Sequence, residues 1–176
     1  RGVPILRRCS GGGAVVQGPG CLSYALVLRI ETDGPTRSIA TTNRFVLERN
    51  AAALSAALGR PVRVRGQTDL AVGDLKVSGN SQRRRRRFLL FHGTFLLNAD
   101  LRLVGELLPM PPRQPDYRQG RAHREFITNL GLSAGAVKSV LETAWGVNGR
   151  FDADLRARIE RLVSEKYSRR DWNWKL

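Results

Sequence analysis

Cysteine and histidine are scarce in this sequence, two of each in 176 residues. Cys9 and Cys21 make no C-x-x-C pair and His92 and His123 stand far apart, so a structural zinc site is not expected. Long apolar runs are lacking as well. None approaches the roughly 18 residues that span a bilayer, and the opening RGVPILRRCSGGG has no hydrophobic stretch before a small-residue cleavage site. The expectation is a soluble, cytoplasmic chain with no membrane partner. Acid is in deficit: fifteen Asp and Glu face thirty Lys and Arg, and the formal charge of +15 excludes a strongly basic partner and calls for an acidic one. Methionine occurs once, at Met110, so residue 1 is not a translation start and the chain reads as a processed or truncated piece.

What is present suffices for a core. With 41% hydrophobic and 26% charged residues, a chain of this length forms one domain, or one plus a short appendage, and hides roughly 70% of its unfolded surface. Leu22 to Ile30 predicts a strand that Asp33-Gly34-Pro35 ends. Between Ser38 and Leu58 the spacing of Leu47, Ala51, Leu54 and Leu58 predicts a helix that Gly59 stops. Val62 to Val64 predicts a short strand, Leu70 to Ser78 a hairpin turning at Gly73-Asp74, and Phe88 to Leu97 another strand. A short helix follows Asp100 as N-cap, and two amphipathic helices start at Ser133 and Asp152. The mixture lacks regular strand-helix alternation, so the predicted class is α+β with a mixed, mainly antiparallel sheet and flanking helices.

Several constellations could carry chemistry. SGGGAVVQGPG, residues 10 to 20, is a glycine-rich loop that could line an anion with backbone N–H groups, or be a surface turn. It fails the common nucleotide templates: Pro19 stands where a Walker lysine belongs and Val16 where the third glycine of G-x-G-x-x-G would fall. Arg7-Arg8 immediately before it favours phosphate or carboxylate. In TDLAVGDLKVSGNSQ, alternation would put Lys76 on one face with Ser78 and Asn80, either as an exposed strand lysine or as a cation at a site. Arg83 to Arg87 form a run expected to be a solvated loop, or a patch that steers an acidic macromolecule. His92 has the setting of a core histidine. Trp172 and Trp174 could stack a base or ring, or pack on the sheet.

RRCSGGGAVVQGPG, TDLAVGDLKVSGNSQ, FHGTFLLNADL and DWNW, in that order, resemble the catalytic domain of lipoate-protein ligases of the biotin and lipoate ligase superfamily. The resemblance implies a single catalytic domain over residues 1 to 176, without strands that normally precede the Arg-Arg motif and without a C-terminal accessory domain. It implies ATP-dependent activation of lipoate or octanoate as an acyl-adenylate, then transfer to a lysine of a carrier domain. Lys76 would contact the carboxylate and the α-phosphate. Arg8, Ser10, Gly12, Gly13, Ala14, Val15, Val16, Ser78, Gly79 and His92 would line the substrate and nucleotide pocket, and Asp69 would stand near nucleotide and Mg²⁺. The implied partners are acidic lipoyl carrier domains of 2-oxoacid dehydrogenases or the glycine cleavage H protein, and an accessory subunit.

Two alternatives remain. One is an octanoyltransferase of the same fold that takes a ready-made acyl group from acyl carrier protein. No cysteine lies beyond Cys21, so a cysteine-based version is disfavoured. The other is a nucleic-acid-binding module, which would use Arg83 to Arg87 on phosphates and tryptophans on bases but leaves the glycine loop and Lys76 without a role. The segment MPPRQPDYRQGRAHREF fits none of these schemes and has the look of an insertion.

Overall fold

The computed structural model describes residues 2–175; Arg1 and Leu176, the two ends of the expected 1–176 domain, lie outside the described residues. The chain divides into a larger unit, Gly11–Val147, and a smaller one made of Arg1–Ser10 and Asn148–Leu176.

In the larger unit the strands are β1 (Cys21–Arg29), β2 (Val62–Arg65), β3 (Asp69–Val72), β4 (Leu75–Arg84) and β5 (Phe88–Leu96). They form one five-stranded sheet in the order β1-β5-β4-β3-β2, antiparallel at every neighbouring pair. The mixed character expected from sequence reduces to an isolated parallel bridge between Lys76 and Ile127.

Helix α1 spans Ile39–Leu58. Ser38 caps it by accepting from the Thr41 N–H at 3.1 Å, and the Thr41 hydroxyl returns the favour to the Ser38 N–H at 3.1 Å. Gly59, at φ 68°, ends it in the left-handed conformation that only glycine adopts without cost. Val46, Leu47, Ala51 and Leu54 form its buried stripe, facing Val77, Leu89, Phe91 and Phe95 of the sheet. Phe91 and Phe95 are fully buried, contributing roughly 1.5–3 kcal/mol each.

Helix α4 (Ala134–Ala144) joins this core through Val137, with α2 (Arg102–Leu107) and α3 (His123–Phe126) before it. The cap of α2 falls one residue later than predicted, at Leu101, while Asp100 still accepts the Arg102 N–H at 3.1 Å. The arginine run is not the solvated loop its charge predicts: Arg83 and Arg84 continue β4, and only Arg85 to Arg87 are left to the exposed connection.

In the smaller unit α5 (Arg156–Leu162) begins four residues after the predicted Asp152, because Asp154 is the side chain that accepts the Arg156 N–H, at 2.9 Å. A π turn (Val163–Tyr167) and α6 (Arg170–Asn173) follow. Trp172 finds its packing within this unit, edge-on to Tyr167 at 5.9 Å and under the Lys166 ammonium at 3.9 Å, and its indole donates to the Arg7 carbonyl. No helix among the described residues is long and apolar enough to cross a membrane.

Candidate active site

Strand β4 is irregular where chemistry was expected. Asp69 pairs with Gly79 and Leu70 with Ser78, but the next pair is Ala71 with Lys76, so Val77 is an extra residue on β4. Strict alternation predicted Lys76 beside Ser78 and Asn80. One inserted residue reverses that, because side chains along a strand change face at every step. Ser78 and Asn80 turn toward α1, while Lys76 turns to the opposite face with Asp69 and Gly79.

On that opposite face the Lys76 ammonium lies 2.8 Å from Asp69 Oδ1, with side-chain exposures of 28% and 9%. A carboxylate this buried needs its cation, while the cation keeps an open side toward solvent. Gly79 makes the approach possible: a Cβ there would stand 3.1 Å from both Cε and Nζ of Lys76. The second carboxylate oxygen, Oδ2, accepts from the Tyr117 hydroxyl at 2.8 Å.

Around Ser78 and Asn80 the face toward α1 holds neutral groups. Ser78 is 1% exposed, and Asn80 binds the Thr68 carbonyl at 2.8 Å, the Ser78 hydroxyl at 3.2 Å and the Tyr24 hydroxyl at 2.6 Å. Asn50 of α1 donates to Tyr24 at 3.0 Å and accepts from the Trp145 indole at 2.8 Å. Ser78, expected in the substrate pocket, is instead closed into this network. The network also explains Gly93, where a Cβ would collide with the Asn80 amide and come within 2.9 Å of the Tyr24 ring.

The glycine loop meets the Lys76 face. The Gly11 carbonyl accepts from Ser81 at 3.0 Å, and Gln17 donates to Thr94 at 2.6 Å. Thr94 pairs with Gly79, and His92 with Ser81. His92 alternates away from the buried Phe91, Gly93 and Phe95, so it is not the core histidine its neighbours suggested and shares the face of Lys76 instead. Of the loop, Gly12, Gly13, Ala14 and Val15 are exposed and Val16 is half-buried. Arg8 and Ser10 belong to the smaller unit, where Arg8 Nε donates to Ser10 at 3.2 Å; burial lowers the Arg8 guanidinium from its ordinary value.

Sequence reasoning missed Tyr117. It comes from the uninterpreted segment, which is built by arginines binding backbone carbonyls. Arg118, 4% exposed, donates to the Arg121 carbonyl at 2.9 Å. Arg121 donates to the carbonyls of Tyr117 (2.8 Å), Asp74 (3.0 Å) and Arg118 (3.1 Å). Both guanidiniums lie over Phe126, at 4.7 and 5.5 Å, and Arg65 lies 5.3 Å over the Tyr117 ring. The signal available in sequence was the density of arginine and aromatic residues between Tyr117 and Phe126. A groove of about 580 Å³ lined by Arg102, Met110, His123 and Arg124 lies along this segment and contains none of the predicted residues.

Each oxygen of Asp69 has one partner, Oδ1 the Lys76 ammonium and Oδ2 the Tyr117 hydroxyl, and each keeps a second lone pair. Among the described residues no group of three or more His, Cys, Asp or Glu side chains could hold a metal ion. With Asp69 as a lone carboxylate, a Mg²⁺ ion here would take most of its ligands from substrate phosphates and water.

A family model described as the lipoyl protein ligase A/B catalytic domain matches residues 1–142. Lipoate-protein ligase 1 of Staphylococcus aureus is 29% identical over 98% of this chain and 53% of its own length. Lipoate-protein ligase A subunit 1 of Thermoplasma acidophilum is 24% identical over 99% of this chain and 73% of its own. The chain therefore spans about half the length of the first of these relatives and about three quarters of the second. Among solved structures, a lipoate-protein ligase A bound with ATP superposes with a TM-score of 0.81 at 24% identity, over 98% of this chain and 72% of that one. A T. acidophilum lipoate protein ligase with bound lipoic acid gives 0.80 at 23%, over 99% and 73%. These likenesses establish the fold.

Proposed function

The chain belongs to the lipoyl protein ligase A/B catalytic domain family, and on that premise we propose that it activates the carboxylate of lipoate or octanoate with ATP and passes the acyl group to a lysine of a lipoyl carrier domain. The observation that carries this reading is the bulge at Val77, which turns Lys76 onto the face met by the glycine loop and holds its ammonium at Asp69.

The residue types suit the chemistry. A carboxylate oxygen attacks the α-phosphorus, a new C(=O)–O–P link forms, and the bond to pyrophosphate breaks with pyrophosphate leaving. Two anions converge in that step, and a fixed ammonium between them stabilises the charge that builds up. Lys76 supplies it without reorganisation, since Asp69 already sets its place. In the second step the carrier lysine, as free amine, attacks the carbonyl carbon and loses a proton, and AMP departs. The half-buried Val16, together with Leu90 and Leu96, which alternate with the buried residues of β5 onto the face of Lys76, offers apolar surface for the acyl tail.

Two solved relatives speak to the partners: one was crystallised with ATP, and a bipartite ligase of T. acidophilum was studied with its E2 lipoyl domain. An acidic carrier domain is likewise the complement of a chain of charge +15. The test is to mix the protein with ATP, Mg²⁺ and lipoate or octanoate, with and without an apo carrier domain, and weigh the products. A carrier mass gain that requires ATP is expected. A gain that requires only acyl carrier protein already loaded with the acyl group would replace the ligase with the transferase.

A further inference from the structure

We propose that Tyr117 is a positioning residue for the acyl-activating site, fixing the Lys76 ammonium through the Asp69 carboxylate. The inference rests on the role given to Lys76 above and adds a residue that no motif marked. A carboxylate anchored at one oxygen can rotate about χ2 and carry its counter-ion with it. Anchored at both, it presents one oxygen in one direction. Asp69 is in the second condition, with Oδ2 on the Tyr117 hydroxyl and Oδ1 on Lys76, both at 2.8 Å.

The anchor is itself held. The Tyr117 ring packs 5.0 Å from Phe126 and under the Arg65 guanidinium, and Arg65 is ion-paired to Asp74 in the β3–β4 turn. Arg121 binds the Tyr117 carbonyl and the Asp74 carbonyl together, so the segment carrying the phenol is tied to the hairpin carrying Lys76. Burial first, then the Asp69 charge, raises the phenol above its ordinary range, so its proton stays in place and it acts as a donor. When the converging anions draw on Lys76, the phenol still holds Asp69, and the ammonium keeps its place between them.

The test compares four proteins: wild type, Tyr117→Phe, Asp69→Asn and the double variant. Phenylalanine keeps the ring contacts, and a melting curve for each protein checks that the fold is kept. Two quantities are read. The first is single-turnover, ATP-dependent formation of acyl-adenylate. The second, which needs no turnover, is the rate at which acetic anhydride labels Lys76 relative to the exposed Lys138, followed by mass spectrometry. Tyr117→Phe is expected to slow adenylate formation about tenfold, with the KM for lipoate within about twofold, and to raise Lys76 labelling several-fold. Both effects should vanish in the Asp69→Asn background, because the phenol then has no carboxylate to aim. Equal effects in both backgrounds, or unchanged labelling with unchanged adenylate formation, would overturn the positioning role. If wild type forms no adenylate while the labelling still couples Tyr117 to Asp69, positioning stands and the ligase reading falls.

Discussion

Two polar clusters sit back to back across the same sheet. The one under α1, made of Ser78, Asn80, Tyr24, Asn50 and Trp145, is neutral and closed by hydrogen bonds among its own members. The one on the other face, made of Asp69, Lys76 and Tyr117, is charged and leaves its cation open on one side. The neutral cluster resembles a cross-beam: every buried polar group is satisfied, and its worth is rigidity. The charged cluster keeps an ammonium that can be shared with an incoming anion. Strand β4 contributes to both, and the single extra residue Val77 decides which side chain goes to which.

The largest effect should come from breaking the charged side. Lys76→Ala should reduce adenylate formation by about 10²–10³-fold, the size of loss seen when one aimed electrostatic group is removed. It should also lower the melting temperature, because Asp69 keeps its burial and loses its cation. Asp69→Asn removes the buried charge that Lys76→Ala leaves unpaired, so the double variant Asp69→Asn/Lys76→Ala should melt above Lys76→Ala while staying inactive. Thermal unfolding and single-turnover assays on the three proteins check this.

Breaking the neutral side should act on stability instead. Gly93→Ala would push a methyl into Asn80 and the Tyr24 ring, and a cost of about 1–3 kcal/mol is expected from overpacking. Asn80→Ala, which leaves the buried Tyr24 hydroxyl with one partner fewer, should cost a similar amount. Urea denaturation measures both. Activity per folded molecule should fall far less than in Lys76→Ala, and equal loss would mean that the two clusters are one unit.

Much of this fold was legible because local signals agreed: the stripe from Leu47 to Leu54, Gly59 behind it, and the turn at Gly73-Asp74. The site was half legible. The residue types around Lys76 pointed to anion chemistry, but the face of Ser78 and Asn80 did not follow, because a bulge is a register event between strands and leaves no periodicity in one of them. His92 read as a core residue because apolar neighbours surround it in sequence, although only alternate ones face the core. Tyr117 was invisible since its partner is 48 residues away and the arginines that hold its segment bind carbonyls, which any sequence offers.

The arginine run sharpens the comparison on a smaller scale. Arg84 binds the carbonyls of Thr36 (2.7 Å) and Arg37 (3.2 Å) and the Thr42 hydroxyl (3.2 Å), fastening β4 to the start of α1. Arg85, Arg86 and Arg87 are exposed. Arg84→Gln should therefore cost about 1–2 kcal/mol, and replacing all three of Arg85 to Arg87 by Gln about 0.5 kcal/mol or less. In the proposed reaction the triple variant should instead lower kcat/KM for an acidic carrier at low salt and leave adenylate formation alone. Unchanged carrier kinetics at low salt would remove these arginines from docking.

High pH should separate the clusters by cause. Burial raises the Tyr24 phenol, opposed by its bond with Asn50, while Tyr117 is raised by burial and also by the Asp69 charge. Below about pH 10, the ordinary phenol value, both groups are protonated folded or unfolded, and stability does not depend on them. Above it the unfolded chain releases these protons first, so the folded state loses up to about 1.4 kcal/mol per group for each further pH unit. Urea denaturation between pH 9 and 11 should show that slope reduced in Tyr24→Phe and in Tyr117→Phe. Salt distinguishes them: the Tyr117 part contains charge–charge contributions, from Asp69 upward and from Arg65 and Arg121 downward, that salt screens, so it should change with ionic strength, whereas the Tyr24 part should not. A salt response of the Tyr117 part left unchanged by Asp69→Asn would mean that Asp69 does not act on Tyr117 as an ion, and the contrast between a neutral and a charged face would be lost.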